Sequence, residues 1–205
     1  TMWQGKTPTK EEINAKNWGS KIEKVIATVQ QELESSPGEK FLIFSHWSAV
    51  LLLIKNALYE ANISVLSSDQ GRMASSMDRF RADPSITVLL LPLTTGSKGA
   101  NLTCANQIIF VDPTLLAATE AQAVGRIHRI GQTKHMKVHR FYVEHSIEQS
   151  IYELSCSNKT TKDGGSKPDL AAKEHEKNTL MDLDVLEKLL YGKLVGPSPA
   201  SMDLD

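Results

Sequence analysis

The sequence predicts an α/β protein built on a parallel, mostly buried sheet with helices on both faces, and three observations carry that expectation. Short, largely apolar runs at 41–44, 86–91 and 107–111 are each bounded by turn-forming residues, the pattern of strands with no wet face. Between them stand segments whose apolar residues recur at i, i+3, i+4 and i+7, the spacing of amphipathic helices. The resulting strand–helix–strand alternation closes most simply as parallel neighbours joined by crossover helices. A sheet of that kind places ligands outside the carboxyl ends of its strands.

Residues 1–17 are polar and without periodicity, a lead-in segment. The first helix opens at Ser20, where Ser20 and Glu23 read as a capping box, and buries Ile22, Val25, Ile26, Val29 and Leu33. Ser-Ser-Pro-Gly at 35–38 ends it. The strand at 41–44 leads through Ser45, His46 and Trp47 into a second helix carried by Val50, Leu51, Ile54, Leu58 and Ala61. A short strand follows at 63–66. Met73, Met77 and Phe80 mark a third helix, closed by Asp83-Pro84 because the residue before proline avoids helical backbone.

After the strand at 86–91, a Gly-rich stretch at 94–101 separates it from the strand at 107–111. A helix over 120–130 comes next, then a strand at 138–143 and a helix at 146–154. From 155 to 179 the composition turns to Lys, Ser, Thr, Asp and Gly with few large apolar residues, a flexible linker. Leu183, Leu186, Leu189 and Leu190 then give 180–205 a short amphipathic helix before a Pro-Ser tail. The organisation expected is thus one lobe over 18–154 and a flexible C-terminal extension.

The 205 residues carry a net charge of -1, which excludes a globally basic nucleic-acid binder and leaves any such contact to a local patch. Cys104 and Cys156 form no C-x-x-C pair, and no thiolate or carboxylate stands at zinc-ligand spacing beside His128, His135, His139 and His145. The expectation is neither a disulfide framework nor a metal centre. No apolar run reaches membrane-spanning length and no signal peptide opens the sequence, so a reduced, intracellular setting is expected. Thr1 in place of an initiator Met suggests a piece of a longer chain.

The segment with most chemistry in it is E-A-Q-A-V-G-R-I-H-R-I-G-Q at 120–132. As a helix it sets Gln122, Arg126 and Arg129 on one stripe, with Ala123, Ile127 and Ile130 on a packed stripe about 100° away. Thr119 and Gln122 read as a capping box and Gly131 as a left-handed stop. Two permanently charged planar forks one turn apart suit an anion whose charge grows during reaction, as in phosphoryl transfer. A bare R-x-x-R is most often a pair of solvated or carboxylate-paired arginines.

Gly96 and Gly99, with Ser97 and Lys98, allow either a phosphate-binding loop or an ordinary glycine turn. No G-x-x-x-x-G-K-[ST] loop and no acidic metal-holding pair is present, and Asp112 before Pro113 looks like a turn residue. A phosphate cradle and a Mg²⁺ site are therefore expected from a second domain.

Q-A-V-G-R-I-H-R-I-G-Q closely resembles motif VI of the Swi/Snf-type, superfamily-two, helicase-like ATPases. F-L-I-F-S-H-W at 41–47 is similar to their motif IV, and T-G-S-K-G-A-N-L at 95–102 to their motif V. The likeness runs from about Gly19 to Leu154, that is, over the second RecA-like lobe. Within the family it points to the ubiquitin ligases that combine a Snf-type helicase with linker-histone, PHD and RING modules. Asp69-Gln70-Gly71-Arg72 is a shortened form of a family segment, and Lys98 stands where a small or neutral residue is common.

The resemblance implies roles. Arg129 becomes an arginine finger, Arg126 a partner on the γ-phosphate, and Gln122 a coupling residue. Gly99 and Asn101 couple to the nucleotide, while Ser45, His46, Thr95, Gly96, Ser97 and Lys98 lie along the DNA backbone. It also implies ATP with Mg²⁺, the metal being held by a first RecA-like lobe, and duplex DNA or chromatin as partner in the nucleus. A ubiquitin-conjugating enzyme would engage a RING elsewhere in the protein. The other reading is a non-catalytic scaffold that positions ubiquitin-ligase partners. An ordinary Rossmann-like enzyme lacks its G-x-G-x-x-G.

Overall fold

The computed structural model describes residues 18–68, 73–96 and 101–160. Its elements in order are α1 (Ser20–Ser35), β1 (Phe41–Ser45), α2 (Ser48–Glu60), β2 (Val65–Ser67), α3 (Met73–Ala82), β3 (Val88–Pro92), α4 (Leu93–Gly96), β4 (Gln107–Phe110), α5 (Ala117–Val124), β5 (Lys137–Arg140) and α6 (Ile147–Thr160). The five strands form one sheet in the order β2-β3-β1-β4-β5, with every pairing parallel. Phe41 lies beside Val88 on one side and Gln107 on the other, so the first strand in sequence is the middle strand in space.

Strict alternation along the strands divides the core in two. Phe41, Ile43, Val88, Leu90 and Ile109 face Val25 and Val29 of α1 and Ile54 and Leu58 of α2. Leu42, Phe44, Leu89, Leu91, Ile108 and Phe110 face Met77 and Phe80 of α3, Leu93 of α4 and Ala123 of α5. The expected doubly covered, RecA-like parallel sheet is therefore what these runs build. Each of its large side chains contributes about 1.5–3 kcal/mol by leaving water.

The amino edge of the sheet is tied by polar groups. The Lys40 ammonium donates to the carbonyls of Phe80 (2.6 Å) and Asp83 (2.7 Å), and lies 4.6 Å from the centre of the Phe80 ring. It thereby satisfies carbonyls at the C-terminus of α3, where a cation is favoured. Gln107 Nε2 donates to Glu39 (2.8 Å) and Glu32 (3.3 Å), leaving Gln107 Oε1 to accept from His139 Nε2 at 3.0 Å. Lys137 closes the network on Glu32 at 2.6 Å.

Several boundaries differ from expectation. α1 is capped by Gly19 in a left-handed conformation (φ 81), whose carbonyl accepts from Glu23 N, and no Ser20 side-chain cap forms. β2 begins two residues after the expected Ile63, and α6 continues past Leu154 to Thr160. Residues 1–17 and 161–205, which hold the expected lead-in, much of the linker and the Leu-rich helix, lie outside the described residues, as do 69–72. By contacts the chain divides into two compact units, one within 1–113 and 117–143, the other comprising Thr114–Leu116 and the chain from Glu144 onward. Among the described residues no helix is long and apolar enough to cross a membrane.

Candidate functional site

The chain leaves β1 toward the α1/α2 face and leaves β4 toward the α5 face, so their carboxyl ends flank the crevice where such sheets usually bind ligands. Here the protein fills that position itself. Ser45, which is 1% exposed, donates its hydroxyl to the Asp112 carboxylate, and the same oxygen accepts from His46 N at 3.1 Å. Trp47 N donates back to Ser45 Oγ at 3.1 Å, and the Lys21 ammonium stands 3.8 Å from Asp112. Asp112 is thus more than a turn residue. Of the two predicted DNA-facing residues here, Ser45 is inside and His46 is exposed, next to a Trp47 that is 65% exposed.

β1 ends with Ser45 beside Pro92, and Pro92 runs directly into α4, whose last residues are Thr95 and Gly96. Motifs IV and V therefore start from neighbouring strand ends. Ser97, Lys98 and Gly99 lie outside the described residues. Asn101 is exposed, and its side-chain oxygen accepts from Thr103 N at 3.3 Å, an Asx turn that carries the chain on toward β4.

The arginine segment departs most from expectation. α5 starts at Ala117, two residues before Thr119, so the proposed Thr119–Gln122 capping box does not form. It ends at Val124, and Arg126 and Arg129 follow in turns, not on a helical stripe. After Gly125 N→Ala121 O the pattern tightens, with Arg126 N on Ala123 O and Ile127 N on Val124 O. Past the helix end, the Arg126 carbonyl takes a partner from elsewhere in the chain. In a continuing helix the Arg126 carbonyl would accept from residue 130; instead it accepts from Leu102 N at 3.0 Å.

That exchange decides the packing downstream. Ile127 stays fully buried, whereas Ile130, expected on the packed stripe, is wholly exposed. Gly131 does adopt a positive φ of 104, but seven residues beyond the helix it was expected to end. The backbone of this segment lies beside the turn at 102–105 that enters β4. Gln122 is exposed on α5, one turn before them.

Electrostatically the arginine turn is unfinished. Arg126 Nε is buried with no hydrogen-bond partner, and neither Arg126 nor Arg129 has a carboxylate partner among the described residues. Burial holds the Arg126 guanidinium below its ordinary pKa, and the charge of Arg129 adds to the effect. Glu120, the acid nearest in sequence, is committed to Arg140 at 2.9 Å. Two guanidiniums without counterions suit the terminal phosphate of a nucleotide. Among the described residues no group of three His, Cys, Asp or Glu side chains could hold a metal.

One contributor escaped the sequence reading. Gln132 Nε2 donates to Ala105 O (2.8 Å) and Thr103 O (3.2 Å), and Gln132 Oε1 accepts from Lys134 N (3.0 Å). Its place at the end of motif VI was the only signal for it. Beside it His128, Arg129, Ile130, Lys134 and Met136 line an open hollow of about 640 Å³.

Comparison with known proteins matches these features. The helicase conserved C-terminal domain family matches residues 21–131. The E3 ubiquitin-protein ligase SHPRH of Homo sapiens is 38% identical over 151 residues, covering 73% of this chain and 9% of the ligase. The DNA repair protein RAD5A of Arabidopsis thaliana is 41% identical over 142 residues, or 66% of this chain and 14% of that protein. The crystal structure of the C-terminal part of the Fun30 ATPase domain aligns with a TM-score of 0.67 at 26% identity, covering 87% of this chain and 55% of that one. The chain thus spans a small fraction of its curated relatives. From motif, fold and sequence together, it belongs to the helicase conserved C-terminal domain family, as the second RecA-like lobe of a Swi/Snf-type ATPase related to the E3 ubiquitin-protein ligase SHPRH and the DNA repair protein RAD5A.

Proposed function

We propose that this lobe supplies the arginine finger of a DNA-dependent translocase in an SHPRH-like E3 ubiquitin ligase acting in nuclear DNA repair. The observation that carries the reading is the pair Arg126 and Arg129, two guanidiniums without counterions among the described residues, on a turn held by Leu102. A buried donor without a partner costs about 1–3 kcal/mol, a cost that an arriving anion removes. Arg126 is suited to hold the γ-phosphate in the ground state, and the exposed Arg129 to meet the charge that develops as the bond to the leaving oxygen breaks. Gln122, Gly99 and Asn101 are assigned to coupling between nucleotide and DNA.

Mg²⁺, held by the first lobe, would supply charge neutralisation between the β- and γ-phosphates. This chain's own residues orient the triphosphate's far end and keep positive charge there. On the other side, exposed His46 and the segment Thr95, Gly96, Ser97 and Lys98 take the DNA backbone by phosphate contacts without reading bases, while Ser45 acts through Asp112 to set His46. With cradle and metal ligands on another lobe, the isolated chain does not turn over ATP. The names of the relatives support the ligase and repair context, with a ubiquitin-conjugating enzyme as further partner.

The test is Arg129→Ala in the full-length protein. DNA-stimulated turnover is expected to fall by roughly 10³–10⁵, as for arginine fingers elsewhere, with the melting temperature nearly unmoved and Arg129→Lys restoring little. Normal turnover per folded molecule in Arg129→Ala would remove the assignment and favour the scaffold reading.

A further inference from the structure

We infer that Gln132 is a positioning residue for Arg129, a role that rests on the arginine-finger reading above. Residues 128–131 are all exposed, and Ile130 makes no core contact, so nothing packs the backbone that carries Arg129. Its constraint comes from the two ends. Upstream, Ile127 is fully buried and the Arg126 carbonyl is held by Leu102 N. Downstream, Gln132 is the first residue tied back to the fold, through the three side-chain hydrogen bonds to Thr103 O, Ala105 O and Lys134 N.

The coupling to Arg129 is direct: Gln132 N donates to Arg129 O at 3.0 Å, and Arg129 N donates to Ile127 O at 2.9 Å. Between them Gly131, at φ 104, is the one position that would let the segment swing if its far end were released. Gln132 suits the task by chemistry. Its amide presents two donors to the two carbonyls of the turn entering β4 and one acceptor to a backbone N–H, a set that neither a carboxylate nor an ammonium provides. The Arg126 carbonyl and the Gln132 amide therefore grip the same turn, 102–105, from either side of Arg129. A finger held at both ends keeps its guanidinium where charge develops; held at one end, it samples positions an ångström or more away.

Misplacement of that size costs on the order of 10²-fold in rate. The experiment uses the full-length protein, measuring DNA-stimulated ATP turnover and melting on the same preparations of Gln132→Met, Arg129→Ala and the double variant. Gln132→Met keeps the stem and removes the amide. The expected result is a kcat lowered by about 10–10² with little change in KM, and no further loss when Gln132→Met is added to Arg129→Ala. A normal Arg129→Ala enzyme overturns the finger reading itself. If Arg129→Ala is impaired but Gln132→Met keeps wild-type kcat, or lowers kcat equally in both backgrounds, the positioning role is overturned while the finger stands. Should Gln132→Met not fold, Gln132→Asn, which keeps the amide but cannot reach both carbonyls, replaces it. Wild-type kcat in folded Gln132→Asn, or failure of both variants to fold, likewise overturns the inference.

Discussion

The crevice between β1 and β4 and the turn after α5 hold the same kinds of groups and treat them in opposite ways. At the crevice, Asp112 gathers Ser45, His46 N and Lys21, so a carboxylate, a hydroxyl, an amide and an ammonium satisfy one another. At the turn, Arg126 and Arg129 repel each other and Arg126 Nε meets no partner among the described residues. A satisfied polar cluster adds to stability and has little left to offer a ligand; an unsatisfied one costs stability until something arrives. The usual ligand position of a parallel sheet is here taken by a structural joint.

Arg126→Met in the full-length protein should break that contrast hardest. It removes a buried donor that has no partner, so turnover should fall by about 10²–10³ while the melting temperature holds or rises. A melting temperature lowered in step with activity would show the guanidinium to be structural. Asp112→Ala tests the other region and should do the reverse. Removing the acceptor shared by the Ser45 hydroxyl and the His46 N–H should cost roughly 1–3 kcal/mol in chemical denaturation, with the remaining folded protein nearly normal in ATP turnover without DNA. Loss of that basal turnover at unchanged stability would show that the crevice takes part in ATP hydrolysis itself.

The smallest effect belongs to the amino edge, a second satisfied network. Burial holds His139 below its ordinary pKa, with Lys137 adding and Glu32 opposing. The unfolded chain then binds its proton first, so stability is constant above about pH 6.5 and declines as pH falls below it toward the folded pKa. In His139→Gln the melting temperature should fall less steeply between about pH 7 and pH 5 than in the unsubstituted protein. Identical slopes would show that His139 titrates alike in both states.

The sheet was legible because its signal is local. F-L-I-F and V-L-L-L are apolar at every position, and only a strand covered on both faces tolerates that. The arginine segment was legible in composition but not in shape. Its apolar residues keep helical spacing through Ile130, yet the Arg126 carbonyl that a continued helix would use is taken by the Leu102 N–H, some two dozen residues earlier in the chain. No local pattern announces such a competitor. Gln132 was hidden for the same reason, since its partners Thr103 and Ala105 become neighbours only when α5 turns the chain back toward the start of β4. Ser45 was visible as a polar residue at a strand end, but its commitment to Asp112 depends on β1 and β4 being adjacent.

That adjacency has a consequence during synthesis. Because the earliest strand is the central one, Phe41–Ser45 emerges from the ribosome with neither hydrogen-bonding edge covered: β3 follows more than forty residues later, and β4 later still. At about 5–20 residues per second the wait for Phe110 is roughly 3–13 s. During that time an uncharged apolar ribbon is open to any other strand. Lys40 on one side and His46 on the other bracket the run with side chains unfavourable to stacked strands, as gatekeepers do. The lysine that seals the end of α3 in the finished lobe therefore guards the nascent chain before there is any helix to seal.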